Sequence, residues 1–324
     1  MKRKRSALAL TAALMTTLVT ACGGGAETGA KASAGDSYSI GVVRFASSDP
    51  GSEGIVQSYL AAAKERGWET SSVDPQGAAG QAVGAISNFV QKQVDLIVVA
   101  VFPSDALAAG IKAAKSAGIP VVSIGGGTTD GVPVSLDFGR SNAKPLTEQM
   151  VKDTGGKGDL LVLGFTPGLP CVGREEELKA QLKETDIKVT RKEVPIPGQV
   201  EAGTEFAQAW LASHPKGSRP LAIWGCFDDP AIGAVSALRQ TGRDDVLVYG
   251  INGTPAAVKA VKGGDMRATA YVDPATEGKR LADVTPDVIA AGTDAKERTL
   301  LPDVHAVTPA NVDDFLKKFP GVLR

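Results

Sequence analysis

The chain has 324 residues, with 35 basic and 36 acidic side chains, 43% hydrophobic residues and only 5% aromatic ones. A net charge of −1, with no basic cluster beyond residues 2–5, gives no sign of a nucleic-acid partner, and the length predicts two lobes rather than one core. Two histidines and three cysteines leave little material for a metal site or a nucleophilic catalytic centre.

Residues 2–5 are all cationic and residues 7–19 are uncharged, which together read as a secretory signal. That apolar run is too short to span a bilayer. It ends in Leu18-Val19-Thr20-Ala21-Cys22, which resembles the bacterial lipobox, in which the cysteine is diacylated and becomes the new N-terminus. The expected organisation is a signal peptide at 1–21, then lipidated Cys22 and a linker to 37 rich in Gly, Ala and Ser. Two or more acyl chains hold a protein at a membrane where one does not, so the expected location is extracytoplasmic, anchored to the bacterial cell membrane. Without the four signal cations, 31 basic residues face 36 acidic ones, a net charge of −5.

Beyond the linker, β-rich runs alternate with amphipathic stretches. Strands are predicted at 39–45, 69–74, 96–101 and 121–124, with helices at 55–66, 80–93 and 106–117. Residues 96–101 are apolar throughout, as in a parallel strand covered on both faces. A second series places strands at 159–164, 188–194, 221–224 and 246–250, with helices at 174–184, 204–213 and 230–241. The alternation predicts two doubly wound α/β lobes with right-handed crossovers. Ligands in such sheets bind beyond the carboxyl ends of the strands, so facing lobes would line one cleft.

Several motifs then occur in order: Ile40-Gly41-Val42-Val43, Phe102-Pro103-Ser104-Asp105, Ala117-Gly118-Ile119-Pro120-Val121-Val122, Gly173-Arg174-Glu175, Phe227-Asp228-Asp229-Pro230 and Gly250-Ile251-Asn252-Gly253. The set resembles the type I periplasmic binding proteins of the ribose- and galactose-binding group over nearly all of the mature chain. The resemblance implies two doubly wound parallel-sheet lobes joined by a three-segment hinge with the ligand cleft between them. It places the N-terminal lobe at 38–136 plus 273–301 and the C-terminal lobe at 137–272 plus 302–324. It also implies a monomer that delivers a small molecule to ABC permease subunits with their cytoplasmic ATPase, without a cofactor or a metal.

Carried over position by position, the resemblance puts Asp49, Asp137, Arg174, Asp228 and Asn252 at polar cleft positions. The arginine offers a planar fork of donors. Departures are equally specific: Pro50-Gly51-Ser52 replaces a stacking aromatic segment, and Gly125-Gly126-Gly127 stands where pentose-binding relatives carry Asp-Arg. Phe102 and Phe227 occupy positions that are polar in relatives. With Phe45 and Tyr271 they suggest a ligand with less hydroxyl recognition than ribose and more flat or apolar surface, a sugar remaining open. The three phenylalanines also read as core residues at strand ends, and the three aspartates as helix caps or acceptors for loop amides.

Cys171 and Cys226 follow strands that the doubly wound order sets side by side, which suggests a disulfide in an exported protein; two buried thiols are the alternative. His214 and His305 belong to no nucleophile or metal motif, and no phosphate-binding loop is present. The sequence therefore points to a binding lipoprotein of an ABC importer. A ligand-sensing co-receptor of the same fold is the second reading, and an extracytoplasmic hydrolase a third that lacks its catalytic groups.

Overall fold

The computed structural model describes residues 37–217 and 219–323. The expected signal peptide, Cys22 and all but the last residue of the linker lie outside the described residues. The first series is β1 (Ser39–Val43), α1 (Pro50–Glu65), β2 (Glu69–Val73), α2 (Ala79–Gln91), β3 (Leu96–Ala100), α3 (Ala108–Ser116), β4 (Val121–Ile124) and β5 (Val134–Leu136). The second is α4 (Arg140–Thr154), β6 (Lys157–Gly164), α5 (Leu169–Leu182), β7 (Asp186–Glu193), α6 (Gln199–Ala212), β8 (Leu221–Gly225), α7 (Asp228–Thr241), β9 (Val246–Asn252), α8 (Pro255–Gly263) and β10 (Ala268–Tyr271). The chain closes with α9 (Pro274–Ala291), β11 (Arg298–Leu300), β12 (His305–Val307) and α10 (Val312–Lys318).

Two six-stranded sheets result, in the orders β11-β5-β4-β3-β1-β2 and β12-β10-β9-β8-β6-β7. All pairings are parallel except β12 against β10. Every residue of β3 and of β8 is buried, as central strands with helices on both faces require. Each sheet reverses its winding beside its first strand, between β1 and β3 and between β6 and β8. Those switch points open a crevice at the strand ends.

The chain passes between the sheets three times: from β5 to α4, from β10 to α9 and from β11 to β12. Helix α9 packs on α1, where the Tyr59 and Thr285 hydroxyls meet at 3.2 Å inside the core. Strand β11 completes the first sheet beside β5.

Three helices begin about five residues earlier than the hydrophobic pattern predicts. Helix α1 starts at Pro50, whose fixed φ suits a first helical position, and Asp49 caps it by accepting the Ser52 N–H at 3.4 Å and the Ser52 hydroxyl at 2.5 Å. Helix α5 starts at Leu169-Pro170 for the same reason. Arg174 therefore sits in the second turn of α5 rather than at its start.

Candidate ligand-binding cleft

A cavity of about 610 Å³ lies where the two switch points face each other. Its size falls within the range of pockets that enclose small organic ligands. Phe45 follows β1 and Val101 follows β3, while Phe165 follows β6 and Phe227 stands two residues beyond β8; all four line it. The first lobe adds Asp49 and Ile124, the second Asn142, Arg174 and Asn252.

Arg174 is 4% exposed and gives three N–H groups to the protein. Nε donates to the Phe138 carbonyl at 2.8 Å, Nη1 to the Cys226 carbonyl at 2.7 Å and Nη2 to Asn252 Oδ1 at 3.0 Å. A guanidinium has five N–H groups, so two remain for a ligand. Anchoring to two carbonyls fixes the fork before anything binds. Because Asn252 Oδ1 faces a group that only donates, Asn252 Nδ2 is turned elsewhere and is also a donor. Asn252 has φ 129°, outside the regions non-glycine residues favour, and such strain collects at ligand sites.

Asp49 is the carboxylate at this end of the cavity. Burial lifts its pKa above the usual carboxylate value, against the opposing pull of Ser52 and the Arg174 charge. Val101, at φ 66°, is the centre of a tight turn in which the Phe102 N–H donates to the Ala100 carbonyl at 2.8 Å. That turn drives Phe102 inward. Phe102 packs on Phe45 with ring centroids 4.8 Å apart, and Phe45 meets Phe165 across the cleft at 5.8 Å.

The structure brings together Phe45, Asp49, Arg174, Phe227 and Asn252 as the sequence reading expects, but three other expected contacts lie behind the wall. Asp228 is fully buried: Oδ2 accepts the Thr254 N–H and Oδ1 the Thr269 hydroxyl, both at 2.7 Å. Burial raises its pKa to about 6. Its role is to hold the loop after Asn252. Asp137 Oδ1 accepts the Gly139 N–H at 2.9 Å in the first chain passage, and Phe102 supports Phe45 from below. In each case residue type was legible in sequence and direction was not.

Other cavity residues were not anticipated. Asn142, in the first turn of α4, enters because the chain passage at 137–139 turns that helix toward the cleft. Outside the cavity lining, Gln199 bridges the lobes, its Nε2 donating to the Ser48 carbonyl at 2.6 Å and to Asp229 at 3.0 Å. Phe319, next to Tyr271 at 5.0 Å, lines the far end. Cys171 and Cys226, expected as a bridge, are free and buried in the structure, in two segments that Arg174 joins.

The glycines at 125–127 have a steric explanation. A Cβ on Gly126 would lie 2.2 Å from the Phe102 carbonyl oxygen, and one on Gly125, at φ 82°, would lie 2.8 Å from Pro170 of the opposite lobe. Where relatives place a charged clamp, this chain admits the start of α5.

Among the described residues no cluster of His, Cys, Asp and Glu could hold a metal ion, and no helix is long and apolar enough to cross a membrane. The family model described as a periplasmic binding protein domain matches residues 40–293. The chain is 29% identical over 303 residues to a xylitol-binding protein of Mycolicibacterium smegmatis, covering 91% of this chain and 83% of that one. It is 24% identical over 230 residues to the ribose import binding protein RbsB of Bacillus subtilis, covering 70% and 73%. Among solved structures, an ABC transporter solute-binding protein of Agrobacterium vitis with bound allitol superposes with a TM-score of 0.79 at 25% identity, over 87% of this chain and 99% of that one.

Proposed function

The chain belongs to the type I periplasmic binding protein family, and from that premise we propose that it captures a small carbohydrate or polyol outside the cytoplasm for an ABC importer. It is a solute-binding protein of the sugar-transport kind and not an enzyme. The observation that carries the ligand reading is Arg174: a buried, pre-oriented fork with two N–H groups left over, set in a cavity that Phe45, Phe165 and Phe227 also line.

Such a site suits a molecule with oxygen acceptors on one edge and C–H faces on the other. Arg174, Asn252 and Asp49 would hold the oxygens, while Phe45, Phe165 and Phe227 cover the faces at about 0.5–1.5 kcal/mol each beyond burial. Capture would proceed by rotation about the three chain passages, the hinge closure for which periplasmic binding proteins are a standard instance. The sequence around Cys22 supports a lipid tether that keeps the protein beside its permease.

A thermal-shift screen against pentitols, pentoses, inositols and small ring compounds tests this reading. A true ligand at a hundred times its Kd adds about 2.7 kcal/mol, which is several degrees for a protein of this size. The expected hit shifts the wild type and not Arg174→Ala. A ligand that binds both equally would remove Arg174 from the site, and the absence of any carbohydrate or polyol hit would overturn the assigned class.

A further inference from the structure

Arg174 is presented by two segments that come from different strands. Helix α5, which follows β6, carries Cys171 in its first turn, one turn ahead of Arg174. Cys226 directly follows β8, and its carbonyl accepts Arg174 Nη1 at 2.7 Å. Strands β6 and β8 are neighbours with Leu163 opposite Gly225, and the Cys226 N–H donates to the Leu163 carbonyl at 2.9 Å. Arg174, one turn after Cys171, thus ties the segment of Cys171 to Cys226; both cysteines are buried, with Cys171 on the cavity wall.

We propose that Cys171 and Cys226 are joined as a disulfide in the exported protein, and that the bridge fixes the wall that presents Arg174. Paired thiols persist in reducing compartments and are oxidised outside them, and the family works outside the cytoplasm. No other cysteine occurs among the described residues, so the pairing has no competitor there.

The chemistry balances with a thiol–disulfide oxidant. Cys171, which lines the cavity, gives up its proton, attacks the disulfide of the oxidant and forms a mixed disulfide. Cys226, whose thiol burial holds in the protonated form, then gives up its proton and attacks Cys171 Sγ, expelling the second sulfur of the oxidant. Two protein S–H bonds and one S–S bond of the oxidant become one protein S–S bond and two S–H bonds on the oxidant.

The test expresses the full chain with its leader, recovers it without reductant, quenches it in acid and alkylates it in denaturant before digestion. The expected product is a peptide pair linked through Cys171 and Cys226, lighter by two hydrogen atoms than after reduction, with neither cysteine alkylated. Alkylation of both in the unreduced protein would overturn the bridge. A 55-residue separation in sequence makes the cross-link stabilising, so reduction should lower Tm by about 5–10 °C, and Cys171→Ser should not respond to reductant. Hydrogen exchange of the backbone at 168–176 reads the positioning role independently of any ligand. It should quicken about tenfold on reduction; unchanged exchange in a protein shown to be bridged would refute that role.

Discussion

The two lobes share one strand order, yet they bring different chemistry to the cleft. The first lobe offers a mostly apolar face: Phe45 backed by Phe102, then Val101 and Ile124, with Asp49 as its charged group near the Arg174 fork. The second lobe offers the donors, Arg174, Asn142 and Asn252, stiffened by Asp228 beneath the loop after Asn252. A repeated architecture thus divides its work through the few residues that follow equivalent strands. Both lobes supply aromatic surface, Phe45 from the first and Phe165 and Phe227 from the second, while the grip comes from the second.

Substitutions can break that division. The largest effect is expected from Arg174→Ala, which removes the grip: charged hydrogen bonds are worth about 1.5–3 kcal/mol each, so titration calorimetry should show affinity falling at least about a hundredfold. Arg174→Lys should recover only a part, because an ammonium cannot reproduce the fork. A variant within tenfold of the wild type would mean that the grip lies elsewhere.

Asp228 should show itself through pH. Between its ordinary value of 3.8 and about 6, the folded carboxyl keeps its proton while the unfolded one has lost it. The native state binds more protons there, so this group's contribution to stability is greatest at low pH and falls by about 3 kcal/mol as pH rises through the window. Asp228→Asn lacks that titration. Its Tm deficit relative to wild type should therefore be larger at pH 4.5 than at pH 7.5, and a deficit independent of pH would contradict the assigned burial.

Gly125→Ala tests the approach of the lobes, since its Cβ would meet Pro170 and strain a backbone at φ 82°. The expected result is roughly tenfold weaker binding with a cost of about 1–2 kcal/mol in stability; unchanged affinity would show that the contact is not needed for capture. Phe45→Leu, which keeps apolar volume but loses two ring contacts, should cost about 1 kcal/mol and weaken binding several-fold. If affinity were untouched, the first lobe would be a spectator.

The alternation of strands and helices was plain at 39–124 and 159–250, because buried parallel strands such as β3 are written as continuous apolar runs, whereas β5 and α4 between them were not predicted. The chain beyond β9 was placed only through family resemblance. Its strands are three or four residues long and two of them lie at sheet edges, too brief for periodicity to register. In the cleft, Arg174 and Asn252 were legible through the Gly173-Arg174-Glu175 and Gly250-Ile251-Asn252-Gly253 motifs that carry the family resemblance. Asp228 was misjudged because a carboxylate that accepts bonds from Thr254 and Thr269 looks in sequence like one that faces a ligand. Asn142 was missed because its position depends on how the chain turns between the sheets.

The threefold passage of the chain also bears on the order of assembly. The five parallel strands of the second lobe lie within one continuous stretch, 157–271, and need only β12 to complete the sheet. The first lobe waits. Its β5 edge and the outer side of α1 stay uncovered until α9 and β11 emerge, residues that meet partners more than 160 positions earlier, as Thr285 meets Tyr59. Contacts so distant in sequence close slowly. A chain emerging N-terminus first therefore finishes its grip before the surface it grips against.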